Sequence, residues 1–429
     1  MEYIKNKYYE SAVGKIKKIQ EIKATKGDKV VAEVTINQIL TGMKGVPSLL
    51  TETSKLDPNE GIRFRGYSIS QLREKLPKKN NEPLPEGLFY LMLTGELPDE
   101  DDVKNISAEW SAKSYVPQHV FDVIDALPKT ARPMTQFITA IMALAPESGF
   151  QKSYRAGIHK KFYWDSTYDD AISLIARLPR IAAYIYRRNY YNDDHIEPNP
   201  KLDWAGNLAH MMGHDTEEVR ELLRLYMTIH ADHEGGNVSA HATHLVGSAL
   251  SNACYSFGAG MAGLAGPLHG YANQQVISWI IEMTEELNTT TPTKQQVEDF
   301  VKNTLNSGRV IPGYGHAVLR VTDPRYTAQK NFADKFIKND PIVDIVNKLY
   351  EVVPPILEKT GKVSNPWPNV DAYSGALLNH YGIKEHNFYT VLFGVSRSLG
   401  VLTSLINDRM FGLPIERPSS YTLDWFENI

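Results

Sequence analysis

The chain has 429 residues, a length that predicts two or three domains. Its 46 Lys and Arg against 50 Asp and Glu leave a formal net charge of −4, which excludes a dedicated nucleic-acid binder of the usual basic kind. A lone cysteine, Cys254, excludes an intrachain disulfide and any multi-cysteine zinc or iron–sulfur centre.

Residues 1–29 hold eight Lys and no Arg, and Glu2, Glu10 and Glu21 interrupt the basic residues. A mitochondrial presequence is Arg-rich and acid-poor, and a secretory signal needs an apolar run, so a cytoplasmic location is the expectation. Val30 to Ile36 alternates weakly and predicts a strand or ribbon. A helix is expected after Asp215, capped by it with Glu218 three residues on, and lining Val219, Leu222, Leu223 and Tyr226 along one face. His230 continues that stripe. His230 and His233, then His241 and His244, form two His-x-x-His pairs, but no carboxylate completes a zinc pattern and no metal is expected.

From Gly235 to Ile281 there is no charged residue for 47 positions. Asn237, Ser239, His241, His244, Ser248, Asn252 and His269 break the run, so it reads as buried helical core and not as a membrane span. Gly258, Gly260 and Gly263 match G-x-G-x-x-G, yet no β-branched strand precedes them and Pro267 follows closely. Helix packing explains these glycines better than a nucleotide does. Cys254 has no basic neighbour in sequence to activate it and reads as a buried structural thiol. Further on, Thr293 with Gln296 opens a helix that stops near Gly308, and Asp340-Pro341 opens another that is expected to end before Pro354-Pro355. With no other strand signal, the chain reads as almost all-α.

Three irregular segments stand out against this background: Gly266 to Gly270, Arg309 to His316, and Asn365 to Asp371. Each sets a titratable residue in a stretch with Gly or Pro (His269 and His316 directly beside Gly, Asp371 three residues after Pro368), and rigidly held loops are common places for catalysis. Arg320, Arg325, Arg397 and Arg417 each lie beside turn residues. Arg binds carboxylates as a fork and keeps its charge, so together they point to a pocket for a small polycarboxylate, whose convergence spacing alone does not show.

At these residues the sequence resembles the citrate synthase family, in its long, eukaryotic-type branch. The match runs through Gly61 to Ser68, His230 to Asn237, Gly266 to Gly270, Pro312 to His316, Asn369 to Ala372 and Glu416 to Pro418. The resemblance implies a helical two-domain fold: a large domain over 1–270 and 383–429, a small domain over 271–382, and an active-site cleft between them that closes to exclude water. It implies condensation of acetyl-CoA with oxaloacetate, with water consumed and citrate and CoA released, acetyl-CoA being a co-substrate and no resident cofactor being needed. Asp371 is then the base, His269 the donor to the thioester oxygen, and His316 the acid for the ketone. His233, Arg325, Arg397 and Arg417 are implied as oxaloacetate ligands, with Arg417 crossing a homodimer interface. Arg320 and Lys362 match CoA-phosphate positions, and Val310, Gly313 and Gly315 lie in a loop matching the one that receives the adenine. His230, His241 and His244 remain structural. Tyr373 stands where relatives commonly carry His, and Ser364 and Ser419 where Lys is frequent. A 2-methylcitrate synthase using propionyl-CoA is the alternative. A non-catalytic sensor of CoA or oxaloacetate would be expected to lack Asp371.

Overall fold

The computed structural model describes residues 2–361 and 363–429, and they are mostly helical. Two long helices, Tyr163–Tyr190 and Tyr389–Phe411, pack along each other at the centre. The second is apolar on nearly every side, which a helix needs when it is surrounded by protein. By length and composition the run His386–Phe411 is apolar enough to cross a membrane, but it is buried inside the fold.

The uncharged run folds as expected of core. It forms the helices Val238–Ser248 and Ala253–Leu264 and most of Ala272–Glu286. The first two form a tight pair. A Cβ on Gly260 would lie 2.6 Å from the Ser239 carbonyl oxygen, so the G-x-G-x-x-G spacing serves close packing. Five helices, Ala272–Glu286, Lys294–Asn306, Pro324–Phe336, Pro341–Thr360 and Asp371–His380, pack chiefly on one another.

Several local expectations are corrected. Thr216, not Asp215, caps the helix Glu217–Ile229, its side chain accepting from the Val219 N–H. Asp215 instead binds His210 and Arg220. Val30 to Ile36 forms no strand: Val30 and Val31 are exposed, no second strand offers them hydrogen bonds, and Ile36 begins the short helix Ile36–Leu40. The antiparallel strands are Ser54–Asp57, Gly61–Phe64 and Tyr67–Ser68, which bury Leu56, Ile62 and Phe64, and a separate two-stranded pair, Lys78–Lys79 with Glu82–Pro83. The helix Pro341–Thr360 runs through Pro354 and Pro355 and ends at Gly361. Burial of Val352, Val353, Pro354 and Leu357 outweighs the two backbone hydrogen bonds those prolines remove. The Thr293–Gln296 capping box forms as expected.

The amino-terminal helix Glu2–Lys26 inserts Ile4, Tyr8 and Ala12 into the core, and the Tyr8 hydroxyl donates to Asn407 Oδ1 at 2.9 Å.

Gly400 lets the central helix touch the turn after Ile229. Its N–H donates to the Ala231 carbonyl, and a Cβ there would stand 2.4 Å from Asp232 Cβ. Gly400→Ala is therefore expected to destabilise the protein by about 1–3 kcal/mol, the usual penalty of overpacking. The check is a lowered thermal midpoint. Because Arg397 lies one turn earlier on the same helix, the variant should also raise the KM for whatever anion Arg397 binds.

Candidate active site

The turn Ala231 to Asn237 is the floor of the site. It follows the helix Glu217–Ile229 and leads into Val238–Ser248. Glu234 holds a left-handed backbone (φ 60°), a strained state for a residue with a side chain, and the surrounding bonds enforce it. Ser54 Oγ accepts from the Glu234 N–H at 2.9 Å, and the Glu234 carboxylate accepts from the Leu56 N–H. Asp232, fully buried, accepts from the hydroxyls of Thr53 and Ser54. The amino-terminal hairpin thus fixes the turn that carries His233.

Asn237 ties this turn to its surroundings. Its Nδ2 donates to the carbonyls of His233 and Glu234. Its Oδ1 accepts from Arg397 Nη1 (3.2 Å), Ser239 Oγ (2.8 Å) and the Ala240 N–H (3.1 Å). Arg397 is buried, donates from Nε to the His230 carbonyl at 3.1 Å, and lies over the Phe393 ring. Its Nη2 has no partner among the described residues. Burial pulls its pKa down to about 10, against the pull of Asp232.

His269 sits in the irregular loop before helix Ala272–Glu286. Its Nε2 receives the backbone N–H of Ser239 at 3.2 Å. A backbone N–H only donates, so Nε2 is bare and the neutral ring carries its proton on Nδ1. Burial, with Arg397 nearby, lowers its pKa to about 4. The amino-terminal end of helix Val238–Ser248, where Ser239 lies, works in the same direction.

His316 and Asp371 share a second framework. The Gly315 N–H donates to the Trp367 carbonyl (3.0 Å), the Asn369 N–H to the Gly313 carbonyl (2.9 Å), and Asn369 Nδ2 to the Gly315 carbonyl (3.2 Å). The loops before His316 and Asp371 are therefore one short ribbon. His316 Nδ1 accepts from the N–H groups of Val318 (3.0 Å) and Leu319 (3.1 Å), which leaves its proton on Nε2. Burial and then Arg325 lower its pKa. The ring lies 5.5 Å from that of His233, whose own pKa burial and the two arginines push well down. His233 Nε2 is buried with no hydrogen-bond partner among the described residues.

Asp371 opens the helix Asp371–His380, and its carboxylate makes no hydrogen bond among the described residues. Burial raises its pKa to about 6; Arg325 and Arg397 oppose the rise and Asp323 adds to it. Arg325 is buried and gripped by Asp323 through Nε and Nη2, the closest contact being 2.7 Å, so its Nη1 remains uncommitted among the described residues.

The structure therefore brings His233, His269, His316, Arg325, Arg397 and Asp371 to one place. Arg320 lies at the edge, its Nη1 spent on the carbonyls of Ala317, Val318 and Leu319. Val310 is exposed at the start of the loop that contains Gly313 and Gly315. Arg417 is exposed and makes no hydrogen bond or ion pair among the described residues. Lys362 lies outside the described residues. Tyr373 is buried and donates to Asn347 at 3.3 Å, whereas Ser364 and Ser419 are exposed.

Asn237, Asp232 and Ser239 were missed by sequence reasoning. Asn237 carried a signal, an amide directly before a helix, which is a cap preference. Cys254 is buried with its pKa pushed up to about 12 by that burial, which suits a structural thiol and not a nucleophile. His230 donates from Nδ1 to the Tyr226 carbonyl and stacks on Tyr226, inside the core as expected.

A family profile described as "Citrate synthase, C-terminal domain" matches residues 42–419. Among curated proteins, a mitochondrial citrate synthase of Daucus carota is 55% identical over 413 residues, 96% of this chain and 87% of the relative. Citrate synthase 4, mitochondrial, of Arabidopsis thaliana is 54% identical over 412 residues, again 96% and 87%. Among solved structures, citrate synthase from Pyrobaculum aerophilum superposes with a TM-score of 0.77 at 26% identity, covering 89% of this chain and 92% of that one. The mitochondrial names overturn the cytoplasmic expectation. A compartment is addressed by segments that import machinery reads, and the folded residues carry no such mark.

Proposed function

The chain belongs to the citrate synthase family and is an enzyme, a transferase, and on that premise we propose how its residues join acetyl-CoA to oxaloacetate. The observation that carries the proposal is the convergence of one unpaired carboxylate, two neutral histidines with opposite bare nitrogens, and two buried arginines.

Oxaloacetate enters as a dianion. Burying it requires pairing of each charge, which Arg325 Nη1, Arg397 Nη2 and His233 offer from within the chain. Arg417 of a second subunit supplies a further cation. Exposed Val30, Val31, Leu40, Ile415, Leu423 and Trp425 favour such a homodimer, since a second copy would cover them. The split into a large domain (1–270 and 383–429) and a small one (271–382) belongs to the same proposal. His233, His269 and Arg397 then lie on the first, and His316, Arg325 and Asp371 on the second.

Asp371 takes a methyl proton from acetyl-CoA. Charge moves to the thioester oxygen, where the His269 Nδ1–H donates. The enolate carbon attacks the ketone of oxaloacetate, and His316 Nε2–H gives its proton to the oxygen that becomes the citrate hydroxyl. Water then cleaves the citryl thioester, releasing citrate and CoA. No step calls on a resident cofactor. Arg320, Lys362 and the Val310 to Gly315 loop are proposed to hold CoA, and a mitochondrial location follows the curated relatives.

Comparison of kcat/KM for acetyl-CoA and propionyl-CoA tests the acyl assignment. Acetyl-CoA should win by about 10–200-fold, the discrimination that one methylene allows. A preference for propionyl-CoA would reverse the assignment in favour of 2-methylcitrate synthesis.

A further inference from the structure

One cluster of titratable groups lies outside the cleft. His244, on the helix Val238–Ser248, points Nδ1 at Asp408 Oδ2 (2.8 Å) and Nε2 at Glu416 Oε2 (3.5 Å). His241 Nε2, one turn earlier, donates to Glu416 Oε1 at 2.9 Å. The Glu416 N–H donates to Ser248 Oγ at 3.0 Å, so both the backbone and the carboxylate of Glu416 are pinned to this helix. The next residue is Arg417, and Pro418 after it restricts Arg417 to an extended backbone. Fixing Glu416 therefore fixes where the Arg417 side chain starts and in which direction the chain leaves. Beyond Glu416 the segment has no regular structure until Leu423, so no other element holds it.

We propose that His241, His244, Asp408 and Glu416 form a positioning device that sets Arg417 for oxaloacetate. This rests on reading Arg417 as an oxaloacetate ligand. The same helix orients His269 through the Ser239 N–H at its other end. One helix thus serves the thioester histidine of its own subunit and the arm lent to the other.

His244 Nδ1 donates to Asp408, and its Nε2 lies at ion-pair distance from Glu416, a contact that attracts when the ring is imidazolium. Asp408, through its hydrogen bond, raises the His244 pKa. Glu416 adds to the rise, while burial and Arg409 oppose it. With His241, those are the groups that face it. A raised pKa means the clamp is complete below it and loosens as pH rises through it.

The test measures KM for oxaloacetate, kcat and dimer mass for wild type, His244→Gln, Glu416→Gln, Glu416→Asp and Arg417→Ala. Loss of one charge-assisted contact predicts a KM rise of about tenfold for His244→Gln and Glu416→Gln, with kcat near wild type and the dimer intact. Glu416→Asp should recover part of it. The wild-type KM should climb as His244 deprotonates, and the His244→Gln profile should be flat. Glu416→Gln combined with Arg417→Ala should be no worse than Arg417→Ala alone. A raised KM in Arg417→Ala with no change in Glu416→Gln and His244→Gln, or thermal destabilisation alone, overturns the positioning role. An unchanged KM in Arg417→Ala instead removes the ligand reading itself. Should the variants fail to fold, a flat wild-type pH profile overturns the proposal unaided.

Discussion

Asp371→Asn should lower kcat by about 10²–10⁴-fold, the range that a positioned general base contributes, while leaving oxaloacetate affinity nearly unchanged. The amide keeps the shape of the side chain but cannot accept the methyl proton. The proposed oxaloacetate ligands Arg325, Arg397 and His233 make no hydrogen bond to Asp371, so binding measured by calorimetry should survive. The wild-type pH profile offers a second check. The base works only when ionised, and burial has moved its pKa to about 6, so kcat/KM should fall as pH drops through that value. The same shift predicts a stability gain. A carboxyl whose folded pKa is raised weakens the fold where it is ionised, so Asp371→Asn should have the higher thermal midpoint above pH 6. The two proteins should converge as pH falls below the ordinary carboxyl range, where both are neutral. A variant that lost activity and melted earlier at every pH would mark Asp371 as a packing residue.

His269→Ala should lower kcat by about 10²–10³-fold, as expected when one preorganised oxyanion donor is removed. The geometry makes the role specific. Because Nε2 receives the Ser239 N–H, Nδ1–H is the donor left for the thioester oxygen in the proposed mechanism, and the ring stays neutral since its pKa is lowered to about 4. A charged imidazolium would protonate the enolate oxygen outright; a neutral ring stabilises it and lets the carbon attack. Activity should therefore show no loss traceable to His269 between pH 6 and 9. Exchange of the acetyl-CoA methyl protons into solvent should fall in parallel with turnover. Unchanged exchange with slowed turnover would move His269 to a later step.

Much of the site was legible because its members sit in or at the end of short irregular segments that contain Gly or Pro and interrupt the helices. His269, His316 and Asp371 were all found this way. What joins them was not legible. Asp232 acts through Thr53 and Ser54, far off in sequence, and only folding sets those hydroxyls on its carboxylate. Asn237 caps a helix, a preference its position before Val238 offered, but its amide also fixes Arg397, which no local rule shows. Helix ends were misjudged where local rules compete with burial: Pro354 and Pro355 suit a terminus, yet their neighbours are core. The strand expected at Val30 failed because alternation without a partner strand has nothing to bond. The compartment was misread for a different reason, since no residue of the folded cleft encodes it.

The hydrogen bond from Tyr8 to Asn407 spans nearly the whole chain, with a sequence separation of 399. An early helix thus docks on one whose residue is made 399 positions later. At about 5–20 residues per second, the nascent chain waits on the order of tens of seconds with the apolar face of Ile4, Tyr8 and Ala12 only partly covered, by Pro85–Thr94, Glu100–Ala112 and Trp164. Production of this protein should therefore depend on chaperone capacity during synthesis more steeply than the stability of the finished molecule implies.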